Sequence, residues 1–538
     1  MSVRASARLE RIAPRAALGV TLLALLLRVR GLGTYWLNPD EGIYYSTLTH
    51  ESFSRFWAEV VTNAHPPAYY LLLRGAAFVT WDFVALRGLT ALCGTLAVWG
   101  LWLVGRELAG RGAAGAVSGL VCAALVAINP DLIALSQVLR PYMLLLALLA
   151  FALYHLLRYR TEPETRSLAG YAGLTCLALL THYSAALALG VFWLLVASWG
   201  FRRESRTPAW WRLVAMQILP AMGLTVLYLQ HLGAAVESDL VRDALTANGW
   251  LSMWLVSSPF DAWRSFLGFQ ILVLPEPLQG RSAILVAGAL LIAGTSRDRT
   301  ALLLGAGALA VAIFASAVGL YPFGPTRHDT WLVLFIVAVL GSVTGGLATS
   351  GAHRLRAVVG GCALFLLVAT PVEGWLSAGM NTTNVSEERV LRREDLAPLV
   401  ASSLASEGSP SVIVMSEQPF NLLMPLLAIE RNAAVFAPDS TSWRFAYGSR
   451  DVVVTRGWDW PSPQALRDQL DAALRPDEET ILLVAGGWGS GLFPSVIELQ
   501  RRGAFADPRV ALGRALDGEP LMRMLATRVD RPALDALR

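Results

Sequence analysis

Long apolar blocks separated by short polar stretches dominate the pattern along the chain. They lie near 14–33, 84–104, 112–129, 141–157, 167–181, 184–200, 211–230, 281–296, 300–320, 330–347 and 355–374. Most approach the roughly 20 residues a helix needs to cross a hydrocarbon core. They mostly lack the polar face that a soluble amphipathic helix keeps. The pattern therefore predicts a polytopic α-helical membrane protein with about eleven spans. Residues 1–15 hold Arg4, Arg8, Arg11 and Arg15 ahead of an apolar run, an arrangement that resembles a signal peptide. No small-residue cleavage site precedes Arg28, so an uncleaved first membrane helix is expected. The stretch 231–280 begins with Glu237, Asp239 and Asp243 and then turns aromatic through Trp250, Trp254, Phe260, Trp263 and Phe266. It reads as an outer loop with interfacial helices.

Beyond about residue 375 the texture changes. Charged residues, Pro and Gly punctuate short β-rich runs at 411–415, 433–436, 451–455 and 480–485, with helix-like stretches near 419–430, 463–475 and 493–502. Alternating strand and helix predicts a C-terminal soluble α/β domain. The expected division is a membrane domain over 1–379 and an extracytoplasmic domain over 380–538.

Composition agrees with membrane insertion. Of the 538 residues, 55% are hydrophobic and 16% charged, with a mean hydropathy of +0.50. A soluble domain carries about a quarter charged residues. The net charge of +4 is carried by arginine, since the chain contains no lysine. These arginines are scattered between apolar blocks, which argues against a nucleic-acid partner. Cys93, Cys122, Cys176 and Cys362 all fall inside apolar blocks without metal-ligand spacing.

Arginine placement sets the expected sidedness. With a cytoplasmic N-terminus, the inner segments hold Arg106 and Arg111, then Arg158, Arg160 and Arg166, then Arg202, Arg203, Arg206 and Arg212, then Arg297 and Arg299, then Arg354 and Arg356. This is the positive-inside pattern. The outer side carries Asp40, Glu41, Glu51, Glu59 and Asp82. The expected location is the bacterial cytoplasmic membrane, with the C-terminal domain outside.

The outer segments also collect the candidate chemistry. Residues 34–45 place Asp40 beside Glu41 directly after the first span; a helix start favouring acidic residues is the competing explanation. Residues 63–74 hold His65 before Pro66 and Pro67, which restrict its backbone. Residues 129–145 place Gln137, Arg140 and Tyr142 at a span entrance. An arginine fork suits a phosphate oxyanion, although arginines also snorkel at interfaces. His182 and Tyr183 interrupt an apolar stretch, and Arg327 and His328 follow the ninth span. Such a set suits transfer from a phosphate-linked donor. A carboxylate accepts the acceptor's proton, arginines stabilise the departing phosphate, and the membrane surface holds both reactants. The glycine-rich run from Gly486 to Gly491 follows a predicted strand; it lacks the lysine of a P-loop and is expected to be a turn. Asn381 opens a glycosylation sequon that carries little weight.

On Asp40-Glu41, His65-Pro66-Pro67, Arg140-Pro141-Tyr142, His182 and Arg327-His328, residues 14–375 resemble the GT-C membrane glycosyltransferases. The likeness is to the group containing the dolichyl-phosphate-mannose–protein mannosyltransferases and the lipid A aminoarabinose transferases. That resemblance implies a polyprenyl-phosphate sugar donor, a glycan, lipid or protein acceptor, and inversion at the anomeric carbon. It implies Asp40 as base with Glu41 in support, Arg140 and Arg327 toward the lipid phosphate with Tyr142 and His182, and His65, Gln137, Tyr183 and His328 around the pocket. A divalent cation stays open, because no metal motif is diagnostic. The competing functions are a lipid or small-molecule transporter and a sensory or assembly protein. The first would place charges near the bilayer midplane; the second gives no reason for the acidic pair and the arginines.

Overall fold

The computed structural model describes residues 3–50, 52–63, 65–201, 207–233, 255–269, 279–295, 299–324 and 326–349. Beyond these it describes 392–394, 396, 412–423, 425, 442–447, 450–455, 464, 466, 468, 474–475, 480–488, 494–501, 506–514 and 520–530. By packing, the chain divides into two compact units. One comprises Met1–Arg30, Val60–Leu72 and Arg87–Val385; the other comprises Gly31–Glu59, Leu73–Leu86 and Ser386–Arg538.

The predicted spans up to residue 347 all fall on helices. In chain order these are α1 (Val3–Val29), α2 (Pro39–Leu48), α3 (Phe53–Thr62), α4 (Pro67–Ala77), α5 (Phe83–Leu108), α6 (Ala113–Ile128), α7 (Pro130–Leu135), α8 (Tyr142–Thr161), α9 (Thr165–Leu179) and α10 (Ala185–Phe201). They continue with α11 (Pro208–Met216), α12 (Ile218–Leu227) ending in a π-turn at Tyr228–Leu232, α13 (Pro259–Phe269), α14 (Gln279–Thr295), α15 (Thr300–Ala317) and α16 (Thr330–Thr349). Among the described residues, 6 helices are long and apolar enough to cross a membrane: Ser6–Val29, Phe83–Leu108, Tyr142–Thr161, Pro208–Leu232, Thr300–Ala317 and Arg327–Thr349. Ala113–Ile128 and Ala185–Phe201 are shorter apolar helices. The span expected at 355–374 and the sequon at Asn381 lie outside the described residues. Helix α13 leaves Phe260 and Trp263 exposed and buries Phe269, in keeping with an interfacial helix.

Helices of the first unit approach closely where glycine removes the side chain. A Cβ on Gly341 or Gly345 of α16 would run into Cys122, Ser118 and Ala114 of α6, and one on Gly119 would meet Trp102. Small residues are how membrane helices bring backbones together. The turns predicted to share one membrane side gather there. Arg111 pairs with Glu162 at 2.5 Å, Arg158 reaches Glu107 at 3.9 Å, and Arg160 donates to the Thr300 hydroxyl at 2.6 Å.

The second unit is built on a 6-stranded sheet of order β2-β3-β1-β4-β6-β5. The strands are β1 (Val412–Ser416), β2 (Ser442–Tyr447), β3 (Arg450–Thr455), β4 (Thr480–Trp488), β5 (Ala506–Arg514) and β6 (Pro520–Asp530). β1 runs parallel to β3 and β4, whereas β2, β5 and β6 pair antiparallel. Helices α17 (Glu417–Leu423) and α18 (Pro494–Arg501) accompany it. The predicted strands at 411–415, 451–455 and 480–485 are present. The predicted strand at 433–436 lies outside the described residues. Of the glycine run, Gly486, Gly487 and Trp488 continue β4 against Met524, Arg523 and Met522, and Gly489 to Gly491 lie outside the described residues. Gly486 has φ of 144°, a value only glycine holds easily.

The candidate active site

In the second unit, the acidic pair sits at the start of α2. Asn38 is the N-cap: its Oδ1 accepts the Glu41 backbone N–H at 2.8 Å, while Glu41 Oε2 accepts the Asn38 N–H at 3.1 Å. This is a reciprocal capping box, with Pro39 as the first helical residue. Glu41 is fully buried in it, and Asp40 is half-buried. Adjacent residues on a helix diverge by about 100°, so the cap separates two carboxylates that sequence alone leaves equivalent. The approach to α2 is fastened within the same unit. The Trp36 indole N–H donates to the Leu422 carbonyl at 2.7 Å, and its ring meets Phe83 edge-on at 4.9 Å. The Arg393 N–H donates to the Thr34 carbonyl at 3.2 Å. At the far end, Thr47 donates to Glu59 at 2.7 Å, and Glu59 also meets His50.

In the first unit, segments distant in sequence bring a cationic and aromatic cluster together. His65 precedes α4, Arg140 and Tyr142 stand at the start of α8, His182 lies between α9 and α10, and Arg327 and His328 form a 3-10 turn before α16. Ring centres of His65 and His182 are 5.1 Å apart, Tyr142 and His182 5.1 Å, Tyr142 and His328 5.9 Å, and His182 and His328 6.1 Å. The Arg140 guanidinium lies 5.7 Å from the Tyr142 ring centre. Arg140, Tyr142 and His182 are buried; His65, Arg327 and His328 are half-buried.

The electrostatics fix the charge state. Burial first, then Arg140 and Arg327, push His182 down to about 3. Burial, with His182, Arg140, His328 and Arg327 around it, also lowers His65 well below its ordinary value. His182 Nδ1 accepts the Ser184 backbone N–H at 3.2 Å and lies 2.8 Å from the Ser184 hydroxyl. An accepting Nδ1 places the proton on Nε2, so neutral His182 still presents an N–H donor. Among the described residues, the Tyr142 hydroxyl is buried with no hydrogen-bond partner. The cluster thus combines arginine charge, neutral imidazole donors and a hydroxyl, a set that suits a phosphate oxyanion.

Not every candidate joins it. Gln137 turns to α1: its Nε2 donates to the carbonyls of Leu27, Arg28 and Arg30 at 3.3, 2.9 and 2.7 Å. Tyr183 meets His231 in the π-turn, and His231 Nε2 reaches the Val60 carbonyl at 3.0 Å. Two contributors were absent from the sequence-based set. Tyr321 donates to the His328 carbonyl at 3.4 Å with ring centres 6.0 Å apart. Buried Asp329 accepts from the Gly324 N–H at 2.8 Å and the Thr326 hydroxyl at 3.3 Å, which shapes the loop carrying Arg327. Both stand in the polar run 320–329 and were legible there. Among the described residues no group of His, Cys, Asp and Glu is arranged to hold a metal ion.

No protein-family model and no curated protein sequence matches the chain. Solved structures do. ArnT from Cupriavidus metallidurans in the apo state aligns over 95% of this chain and 97% of its own, with a TM-score of 0.52 and 15% identity. The chain has the fold of ArnT. The structure of ArnT bound to undecaprenyl phosphate gives the same coverage, TM-score of 0.52 and 15% identity. The archaeal oligosaccharyltransferase AglB from Archaeoglobus fulgidus, in complex with an inhibitory peptide and a dolichol-phosphate, aligns over 87% of this chain and 69% of its own at 12% identity with a TM-score of 0.46. With the apolar helices, this fold makes the chain a multi-pass membrane protein.

Proposed function

We propose that this chain is a glycosyltransferase that moves a sugar from a polyprenyl-phosphate carrier to a glycan, lipid or protein acceptor on the extracytoplasmic side. The observation that carries this reading is the convergence of Arg140, Arg327, His65, His182, His328 and Tyr142. Cations and neutral donors gathered out of water favour an anion strongly, since low dielectric magnifies each contact. Undecaprenyl phosphate, which ArnT binds, has the matching chemistry.

In this reading the acceptor hydroxyl attacks the anomeric carbon as the bond from that carbon to the phosphate oxygen breaks. The electron pair leaves with the lipid phosphate, where Arg140 and Arg327 stabilise it. The hydroxyl proton passes to Asp40. Attack opposite the leaving phosphate inverts the anomeric centre. Glu41 is committed to the capping box, which supports Asp40 as the base. Arginine distribution supports an outward-facing site with 380–538 as an extracytoplasmic domain.

The testing experiment measures undecaprenyl phosphate binding by the purified full-length protein, with a reporter fused after residue 400 for sidedness. Saturable binding that Arg327→Gln weakens, and an extracytoplasmic reporter, are the predicted results. Binding indifferent to Arg327, or a cytoplasmic reporter, would overturn the corresponding part.

A further inference from the structure

Arg28 and Gln137 tie two helix ends together, and the established fold gives neither a role. Arg28 is fully buried near the end of α1. A fully buried charge is costly unless hydrogen bonds satisfy it. Its Nη2 donates to the Val126 carbonyl at 2.9 Å, and its Nη1 donates to the Ala127 carbonyl at 3.0 Å and to Ala24 at 3.2 Å. Its Nε donates to the Ser136 hydroxyl at 3.0 Å. Val126 and Ala127 lie in the last turn of α6, where carbonyls lack helical partners and the helix dipole is negative. The cation therefore serves as a C-cap for a neighbouring helix.

Gln137 returns the favour. Its amide reaches the carbonyls of Leu27, Arg28 and Arg30, which close α1. Carbonyls facing one side-chain group fix its orientation, because a flipped amide would set oxygen against oxygen. α1 thus caps α6, and the segment that leaves α6 caps α1. Gly94 on α5 leaves the space: a Cβ there would run into Ser136 Oγ and Arg28 Nε. Between the two caps and the span at α8 the backbone turns tightly, with the Arg140 N–H donating to the Val138 carbonyl at 2.9 Å. Little slack separates Gln137 from Arg140.

We infer that Arg28 and Gln137 form a reciprocal helix-end clamp that positions Arg140 for a phosphate anion. This rests on reading the cationic cluster as a phosphate site. Both are positioning residues, acting through Arg140 without touching the ligand.

The test uses full-length protein in nanodiscs, with undecaprenyl phosphate as the probe and hydrogen exchange as a second readout. Gln137→Met should weaken binding about fivefold or more. It should also speed exchange in residues 27–31 and 131–140. Gln137→Lys, which restores N–H donors, should recover part of the affinity. Gln137→Glu, matched in shape but facing carbonyls with a carboxylate, should be worse than Met. In an Arg140→Gln background, Gln137→Met should change affinity less than about twofold, because coupled residues are not additive. Gly94→Ala is the independent variant, intruding on the clamp while keeping its polar groups. Wild-type affinity in Gln137→Met, full additivity with Arg140→Gln, or a Lys variant no better than Glu would overturn the inference. If wild-type protein does not bind undecaprenyl phosphate, the phosphate reading fails and the role toward Arg140 falls with it. The exchange data would then still decide whether the clamp holds the helix ends.

Discussion

The start of α2 and the cationic cluster are built in opposite ways. The acidic start is local: Asn38, Pro39, Asp40 and Glu41 are consecutive, and the cap that sorts the two carboxylates closes within four residues. The cluster is non-local, drawn from segments near residues 65, 140, 182 and 327. Local chemistry fixes which carboxylate is held. Tertiary packing decides which cations meet, and it burdens the fold with desolvated charge that an anion would relieve. Substitutions should therefore separate the two regions: at α2 into chemistry and stability, at the cluster into binding and pH response.

The largest expected effect is at Asp40. Asp40→Asn should lower single-turnover transfer from the enzyme's own polyprenyl-phosphate sugar by about 10²–10⁴-fold, the usual range for a general base. Undecaprenyl phosphate binding should stay intact. Glu41→Gln should do less to the chemical step and keep the cap, since its amide oxygen still accepts the Asn38 N–H, whereas Glu41→Ala should destabilise the protein by about 1 kcal/mol through the lost cap. Abolished turnover in Glu41→Gln with normal turnover in Asp40→Asn would transfer the role of base to Glu41.

Next in size is the loss of one arginine. Arg140→Gln and Arg327→Gln should each weaken undecaprenyl phosphate binding by about 10–100-fold, as expected when a charge-assisted bond of about 1.5–3 kcal/mol is removed. Isothermal titration of the purified variants checks this, and an unchanged affinity for either would remove it from the phosphate site.

A smaller effect concerns pH. His182 falls to about 3 in the folded protein against an ordinary 6.5. Between those values the unfolded chain binds the proton and the folded chain does not, so stability falls as pH drops below about 6.5. His65 shifts in the same direction. Lipid-free protein should lose melting temperature between pH 7 and pH 5, and His182→Gln should lose less. Equal losses would exclude His182 as a contributor. The smallest expected effect is Trp36→Phe, which removes the indole donor to Leu422 and should destabilise the second unit by about 1 kcal/mol.

The apolar blocks made the helices legible because membrane spans need near-continuous hydrophobicity. Arginine spacing grouped the turns that Arg111, Arg158 and Arg160 then tie together. Within the C-terminal sheet, β1, β3 and the start of β4 were readable from Val and Ile runs. β5 was not: it opens Ala506-Asp507-Pro508, carries Gly513, and shifts register between Ala506 and Arg509, features an edge strand tolerates. β6 interleaves Arg523 and Arg528 with Met and Ala, which weakens its pattern. The outer polar residues announced the cluster's members, but not its membership. Gln137 reads as a pocket residue until α1 supplies its carbonyls, and nothing local to Arg28 reveals the end of α6. Such partners arise from helix packing, which one-dimensional patterns do not encode.

The most direct test of the central claim is a structure of the full-length protein with undecaprenyl phosphate bound. The account predicts phosphate oxygens at hydrogen-bond distance, about 3 Å, from the guanidinium groups of both Arg140 and Arg327. A phosphate seated elsewhere, with neither arginine in contact, would contradict it.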